Sequence, residues 1–253
     1  MIGLDAGAAW SSVPVGRATV RAVFSRAIHV DVAGSGPMVI ADAAVPPGPL
    51  HLRVNPLPVV AEGATVLIED GWLRIATSSL DLRLVPTWTP PPCGGPLRSH
   101  SVPGTERSAL AGRSALLERV RRLLAHDDVD GVARHLGGLG PGLTPAGDDA
   151  LAGIVLTLHA SGVDERRLRA VVELVRSTTL SLAYLRWAAR GQCIEPAHRL
   201  LAALTGTDPE PVAAAASRLA RHGASSGADL LLGVGCALAT AAVRTAGEPA
   251  TRP

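Results

Sequence analysis

The feature that most limits what this chain can fold into is a change of hydrophobic period across a proline-rich break. Before the break the period is two. Val20, Ala22 and Phe24 alternate with Arg21, Val23 and Ser25, and Ile28-His29-Val30-Asp31-Val32 alternates cleanly, as strands with one buried face do. Gly34-Ser35-Gly36-Pro37 marks a turn and Met38-Val39-Ile40 begins the next strand. Further strand-like runs occupy 51–54, 65–68, 72–76 and 80–85, and Glu69-Asp70-Gly71 has the composition of a tight hairpin connection. Residues 86–104 then carry prolines at 86, 90, 91, 92 and 96, which neither helix nor strand tolerates. From Thr105 onward the period is helical. Leu110, Leu116, Leu117, Val120 and Leu124 share a face that excludes Arg113, Arg119, Arg121 and Arg122, and later helices are expected over 145–160, 164–190, 196–204, 209–221 and 227–244. Asp208-Pro209-Glu210 reads as the start of one of them. The pattern predicts an α+β fold: a β-rich N-terminal barrel or sandwich over 1–90, a Pro/Gly-rich linker over 91–107, and a mainly helical domain over 108–253.

Composition narrows the chemistry. A chain of 253 residues, 47% hydrophobic and 18% charged, can bury a substantial core, and with one Phe, one Tyr and four Trp that core must be aliphatic. The sequence contains no lysine, so all 24 basic residues are arginine. Schiff-base chemistry and a P-loop lysine are thereby excluded, whereas planar recognition of carboxylate or phosphate is not. Scattered arginines, a net charge of +2 and few aromatics argue against nucleic acid as a partner. Cys93, Cys193 and Cys236 form no CxxC pair, which argues against a zinc site or disulfide framework and suits a reducing compartment. The N-terminus lacks the order of a signal peptide. The most apolar stretch, 228–243, contains Asp229 and is shorter than the ~20 residues of a spanning helix. The expectation is a cytoplasmic protein without membrane association.

The chemistry concentrates in residues 138–153. Gly138, Gly140 and Gly142 alternate through Gly-Leu-Gly-Pro-Gly-Leu-Thr-Pro ahead of a helix, where Thr144 suits the N-cap and Pro145 the first helical position. Glycines expose backbone N–H groups, and a helix N-terminus adds partial positive charge, so a small anion is favoured there. Neither the dinucleotide fingerprint nor the P-loop pattern fits. Asp148 and Asp149 follow in the first turn. The motif then recurs: Gly147-Asp148-Asp149-Ala150-Leu151-Ala152-Gly153 and Gly227-Ala228-Asp229-Leu230-Leu231-Leu232-Gly233 both read Gly-x-Asp-x-Leu-x-Gly, 80 residues apart (227 − 147), each preceded by hydroxyls, Thr144 in one and Ser225-Ser226 in the other. Two similar helices packed together would bring Asp149 and Asp229 to matching ends. Such a pair could bind Mg²⁺, act as acid and base, or hold an arginine or an amide N–H. The simpler alternatives are a tight turn with dipole-stabilising aspartates and a repeat arising from Ala/Leu/Gly bias. Arg186 and Arg190 share a helical face and could clamp a carboxylate, or could cap a solvated helix end. His135 and His222 read as surface or core residues, and 126–130 as a solvated turn.

These residues resemble a family. Gly138 to Gly153 is similar to the signature of the oxamate carbamoyltransferase third-subunit family. Similarity extends to Val23-Phe24-Ser25-Arg26-Ala27-Ile28-His29-Val30, to Leu185-Arg186-Trp187-Ala188-Ala189-Arg190-Gly191-Gln192 and to Ser225-Ser226-Gly227-Ala228-Asp229-Leu230-Leu231. Two positions depart from it: Ala146 stands where a serine is expected, and Ala150 where a bulky apolar residue is expected. The resemblance implies a multi-subunit enzyme of purine-nitrogen catabolism that exchanges oxalurate and phosphate for oxamate and carbamoyl phosphate. Under it, the loop glycines, Thr144, Gly147, Ser225, Ser226 and Gly227 would hold phosphate or carbamoyl oxygens. Asp148, Asp149 and Asp229 would orient the amide or a Mg²⁺ ion, and Arg190 would hold a substrate carboxylate. Catalysis would come from positioning and electrostatics, with other carbamoyltransferase subunits or a second copy of the chain as partners. A non-catalytic subunit and a small-anion binding module are the rival readings.

Overall fold

The structure, a computed structural model, describes residues 1–93, 95–97 and 102–247 and divides into two compact units, 1–90 and 91–253. Of the expected linker over 91–107, residues 94 and 98–101 lie outside the described residues, as do 248–253 at the end of the expected helical domain.

The first unit is a nearly closed eight-stranded barrel, so of the two expected architectures the barrel is the one formed. Its strands are β1 (Ile2–Ala6), β2 (Gly16–Val23), β3 (Ala27–Val32), β4 (Gly36–Ala41), β5 (His51–Asn55), β6 (Thr65–Glu69), β7 (Trp72–Ile75) and β8 (Ser78–Asp81). They pair in the order β1-β5-β4-β3-β2-β6-β7-β8, antiparallel except for β4 with β5. The alternation read in β3 is realised: Ile28, Val30 and Val32 are buried, while Asp31 faces out and pairs with Arg21 at 3.0 Å. β6 and β7 meet through Asp70 (φ 47°) and Gly71 (φ 79°), a two-residue turn with both central residues left-handed. The barrel approaches closure where the chain beyond β8 returns to β1: Ala6 N donates to Pro86 O at 3.0 Å and Trp88 N to Ala6 O at 2.8 Å. Two details depart from the sequence reading. Strand β1 carried too short an alternation to be read. The expected strand over 80–85 stops at Asp81, whose carboxylate accepts the Arg83 N–H at 3.1 Å and turns Leu82–Leu84 into a 3-10 helix.

Among its described residues the second unit holds eight α-helices: α1 (Ser114–Ala125), α2 (Val129–Leu136), α3 (Ala146–Ala160), α4 (Glu165–Val172), α5 (Thr179–Ala188), α6 (Glu195–Thr205), α7 (Val212–Ala220) and α8 (Ser226–Gly247). Helix α3 is apolar all round and buried along most of its length, as a central core helix should be. Together with α8 it divides the core: α1, α2, α4 and α5 pack on one side, α6 and α7 on the other. Val102, at the end of the expected linker, is buried in the second of these clusters. The single helix expected over 164–190 is broken in two, because Thr178 turns its hydroxyl to the Ser181 N–H at 3.1 Å and caps α5. Likewise α7 begins at Val212, since the Asp208 carboxylate accepts the Glu210 N–H at 2.9 Å and pairs with Arg199 at 3.0 Å. No helix among the described residues is long and apolar enough to cross a membrane.

What joins α3 to α8 is backbone against backbone. A Cβ on Gly153 would run into the Leu230 carbonyl, and one on Gly233 into the Ala150 carbonyl. Nothing larger than a hydrogen fits at either point. Gly233→Ala should therefore destabilise the fold by about 1–3 kcal/mol through overpacking. Gly112→Ala, at a position with open space, should stay within about 0.5 kcal/mol. Urea denaturation of the two variants beside the parent checks this.

Candidate functional site

The repeated motif marks two equivalent helical hairpins. In the first, α2 leads into α3; in the second, α7 leads into α8. Gly147 sits against the Leu136 carbonyl at the end of α2, and Gly227 against the Leu219 carbonyl near the end of α7. The Gly147 N–H donates to Leu139 O at 2.8 Å, and the Gly227 N–H to His222 O at 3.0 Å. The hairpins differ in their connections, 221–225 in the second against 137–145 in the first. The longer one is the glycine-rich loop. It projects outward, with Gly138, Gly140, Pro141, Gly142 and Leu143 all exposed. Gly140 requires its glycine twice over: its φ is 118°, and a Cβ would lie 3.1 Å from the Ala146 nitrogen. The N–H groups of Gly140, Gly142, Leu143, Thr144 and Ala146 have no acceptor among the described residues.

Asp148 holds this loop. Its side chain is 1% exposed, yet every oxygen is used: Oδ1 accepts the Gly138 N–H at 2.7 Å, and Oδ2 accepts the hydroxyls of Ser177 and of Ser181, the latter at 2.7 Å. The Thr178 hydroxyl donates to Leu143 O, tying the far side of the loop to the start of α5. The break between α4 and α5 and the first turn of α5 thus supply three hydroxyls that anchor the loop. Sequence reasoning missed Ser177, Thr178 and Ser181, although a Ser-Thr-Thr run inside an apparently continuous helix is a signal for it.

Asp149 and Asp229 are different. The two helix N-termini converge, with Thr144 Oγ1 and Ser226 Oγ 3.2 Å apart. The two hydroxyls lie beside the Asp149 carboxyl and favour its charged form. Asp229 is fully buried, and its Oδ1 accepts the Ser108 hydroxyl at 2.6 Å and the Ala109 N–H at 2.8 Å; Ser108 in turn accepts the Leu110 N–H at 3.0 Å. The second oxygen of each, Asp149 Oδ2 and Asp229 Oδ2, is buried without a partner. Burial pushes the Asp149 pKa well above the ordinary carboxylate range; the Ser226 hydroxyl opposes this, the charges of Asp229 and Asp148 reinforce it, and the Thr144 hydroxyl opposes it weakly. Behind Asp149 lie Cys193, whose thiol burial pushes up to about 12, and Tyr184, whose hydroxyl burial raises too, with the Asp149 charge a lesser cause in each case. Neither is poised to ionise as a nucleophile. His198 accepts the Cys193 N–H at 3.0 Å on Nε2 and is held neutral, its pKa brought down to about 4 by burial.

Thr144, Asp149, Ser226 and Asp229 therefore meet at one point, with Gly147 and Gly227 beneath the two helix ends and Ser225 supplying the carbonyl that accepts the Asp229 N–H at 2.9 Å. Thr144 is not the N-cap of α3. Pro145 occupies that position and Ala146 opens the helix, which leaves the Thr144 hydroxyl free to reach across to α8. Arg190 is elsewhere. Its guanidinium lies 4.8 Å over the Trp187 ring, and Gly191 packs against the His159 ring. His159 is ten residues beyond Asp149 on α3, about 15 Å along the helix. Arg186 is engaged with Glu173 at 3.2 Å. The structure thus does not bring the expected carboxylate clamp to the loop. As for Mg²⁺, no group of three or more His, Cys, Asp or Glu suited to a metal occurs among the described residues; a cation here would meet the open oxygens of Asp149 and Asp229 only.

Residues 136–238 match a protein family described as oxamate carbamoyltransferase subunit AllH. The match runs from the last residue of α2 into α8 and takes in both copies of the motif, the glycine loop and the α4–α5 break. No solved structure matches the chain.

The latch on the loop has a measurable consequence. Asp148→Ala strands the Gly138 N–H and two hydroxyls, and should cost about 3 kcal/mol of stability. Amide hydrogen exchange should show loss of protection at Gly138 while the protection of the α8 interior persists.

Proposed function

We propose that this chain, whose residues 136–238 match the family of oxamate carbamoyltransferase subunits, binds the small anions of that reaction at the glycine loop. One observation carries the reading: a loop with open N–H groups stands at the point where two helix N-termini and two hydroxyls converge. Backbone N–H groups and helix dipoles there favour an anion without any lysine or arginine. The match to the family supplies the chemical class.

In the proposed reaction a phosphate oxygen attacks the terminal carbamoyl carbon of oxalurate. The bond from that carbon to the amide nitrogen breaks, and the proton released by phosphate goes to the departing oxamate nitrogen. Carbamoyl phosphate is the second product. Gly140, Gly142 and Thr144 hold the phosphate or carbamoyl oxygens through N–H groups, the Thr144 and Ser226 hydroxyls orient them, and Asp148 keeps the loop in shape. Negative charge developing on the carbamoyl oxygen would be stabilised by the same N–H groups, so the contribution is positioning and electrostatics.

A second reading is favoured by a specific observation. Cys193 and Cys236 are buried, Cys93 is half-buried and lies outside the matched residues 136–238, and the unpartnered oxygens of Asp149 and Asp229 are closed to solvent. The chain then offers a binding surface to which another subunit brings the reactive groups. Both readings require the loop to take an anion.

Calorimetric titration of the full chain with phosphate, carbamoyl phosphate, oxamate and oxalurate tests this. At least one should bind, and Gly140→Val, shown by circular dichroism to remain folded, should weaken it at least tenfold. Absence of binding at millimolar ligand, alone and with partner subunits, would sink the proposal. Binding without turnover until partners are added would select the second reading.

A further inference from the structure

The glycine loop is held at two ends that differ in chemistry. Towards α8 it ends at the Thr144 hydroxyl, 3.2 Å from that of Ser226, where two helix N-termini supply positive potential. Towards α5 it begins at Gly138, whose N–H donates to Asp148 Oδ1 at 2.7 Å, while Asp148 Oδ2 accepts from Ser177 and Ser181. Between the two ends lie the open N–H groups of Gly140, Gly142 and Leu143.

At the α5 end the loop rests on Arg176. The Arg176 carbonyl oxygen is 2.5 Å from the point that a Cβ on Gly138 would occupy, and only the missing Cβ lets the two strands of chain approach so far. Bond lengths then put the Cα atoms of Gly138 and Arg176 within about 7 Å of each other. The residues that follow fix this arrangement, since the Ser177 hydroxyl donates to Asp148 and the Thr178 hydroxyl to Leu143 O. The backbone of Arg176 is therefore held against the loop.

Its side chain is not held. Arg176 is exposed, and among the described residues it takes part in no ion pair and no hydrogen bond. Arg186 is paired with Glu173 and Arg190 is stacked on Trp187, so neither is available in the same way. An arginine stem carries its guanidinium about 6 Å from the Cα, far enough to meet a ligand lying on the loop.

Hydroxyls and helix ends at one side, with a free guanidinium at the other, suit a ligand with two different polar ends. A helix N-terminus takes a compact oxyanion, whereas the fork of a guanidinium matches a planar carboxylate through two parallel hydrogen bonds. Oxalurate and oxamate carry their carboxylate at the end away from the reacting atoms. Phosphate has no such second end.

We infer that Arg176 is a binding residue of this site and closes on the carboxylate of the ligand while the reacting end lies at Thr144 and Ser226. This role rests on the proposed function and adds to it the residue that separates carboxylate ligands from phosphate. Arg176 takes the part expected of Arg190. Helical spacing does not point to it, because it stands in the break between α4 and α5 and belongs to no helix face.

The test is calorimetric titration of the full chain with oxamate and, separately, with phosphate, alone and with partner subunits. Arg176→Gln should weaken oxamate about tenfold or more, and phosphate by no more than about twofold. Arg176→Lys, which keeps the charge but not the fork, should recover part of the loss. Arg190→Gln should bind both anions as the parent does. Arg176 meets Gly138 through its backbone, so amide exchange at Gly138 should be the same in the parent and in Arg176→Gln. Unchanged oxamate affinity in Arg176→Gln, an equal loss for phosphate, or a loss accompanied by faster exchange at Gly138 overturns the assignment. A parent that takes phosphate but not oxamate overturns it too and leaves the function reading standing; a parent that takes neither ends both.

Discussion

The contact on which the helical unit depends is the meeting of two backbones at Gly153 and Gly233. No side chain stands between α3 and α8 at those points, so their axes are held at a distance that only glycine allows. Everything characteristic of the site follows from that closeness. The N-terminal ends are drawn together, the hydroxyls of Thr144 and Ser226 come within reach, and one oxygen each of Asp149 and Asp229 is enclosed without a partner. The scarcity of aromatic residues fits the same constraint. A core built around two touching helices leaves thin layers on either side, and Leu, Val and Ala fill these where a ring would not.

Around this seam the three aspartates have separate tasks that the shared motif conceals. Asp148 points away from α8 towards the α4–α5 break and is satisfied entirely by the chain, so it shapes the loop. Asp149 points into the seam. Asp229 is pinned from behind by a turn at 108–110 that comes from far away in the sequence. Charge is handled without a single arginine at this point; helix ends and hydroxyls do what a cation does elsewhere.

Much of this was legible in the sequence because it is local or periodic. The switch of period placed a β unit before a helical one, the Asp70-Gly71 turn was visible in its composition, and the glycine spacing together with the 80-residue repeat pointed to paired helices. What was not legible depends on partners distant in the chain. Nothing local to Ser108 marks it as the partner of Asp229, and nothing near Asp148 announces Ser177 and Ser181. Helix propensity alone made 164–190 continuous; the interruption comes from a hydroxyl that caps α5 and from the loop it must anchor. Arg190 was expected at the site because arginine suits carboxylates, but its position two residues beyond the end of α5 and its stacking on Trp187 place it near the opposite end of α3. The barrel was open to two readings because alternation specifies a half-buried strand, not the curvature that brings β1 towards the chain beyond β8.

The reciprocal seating of Gly153 on Leu230 and Gly233 on Ala150 follows the rule of an isologous interface: one surface used twice, each side completing the other. Here that symmetry is contained in one chain. A change that thickens either helix is felt by both, so the seam is constrained to vary as a pair. The connections 137–145 and 221–225 lie outside it and are released from that bond. One is a nine-residue glycine-rich loop and the other a five-residue turn, so two halves alike in their seam carry connections of unequal length.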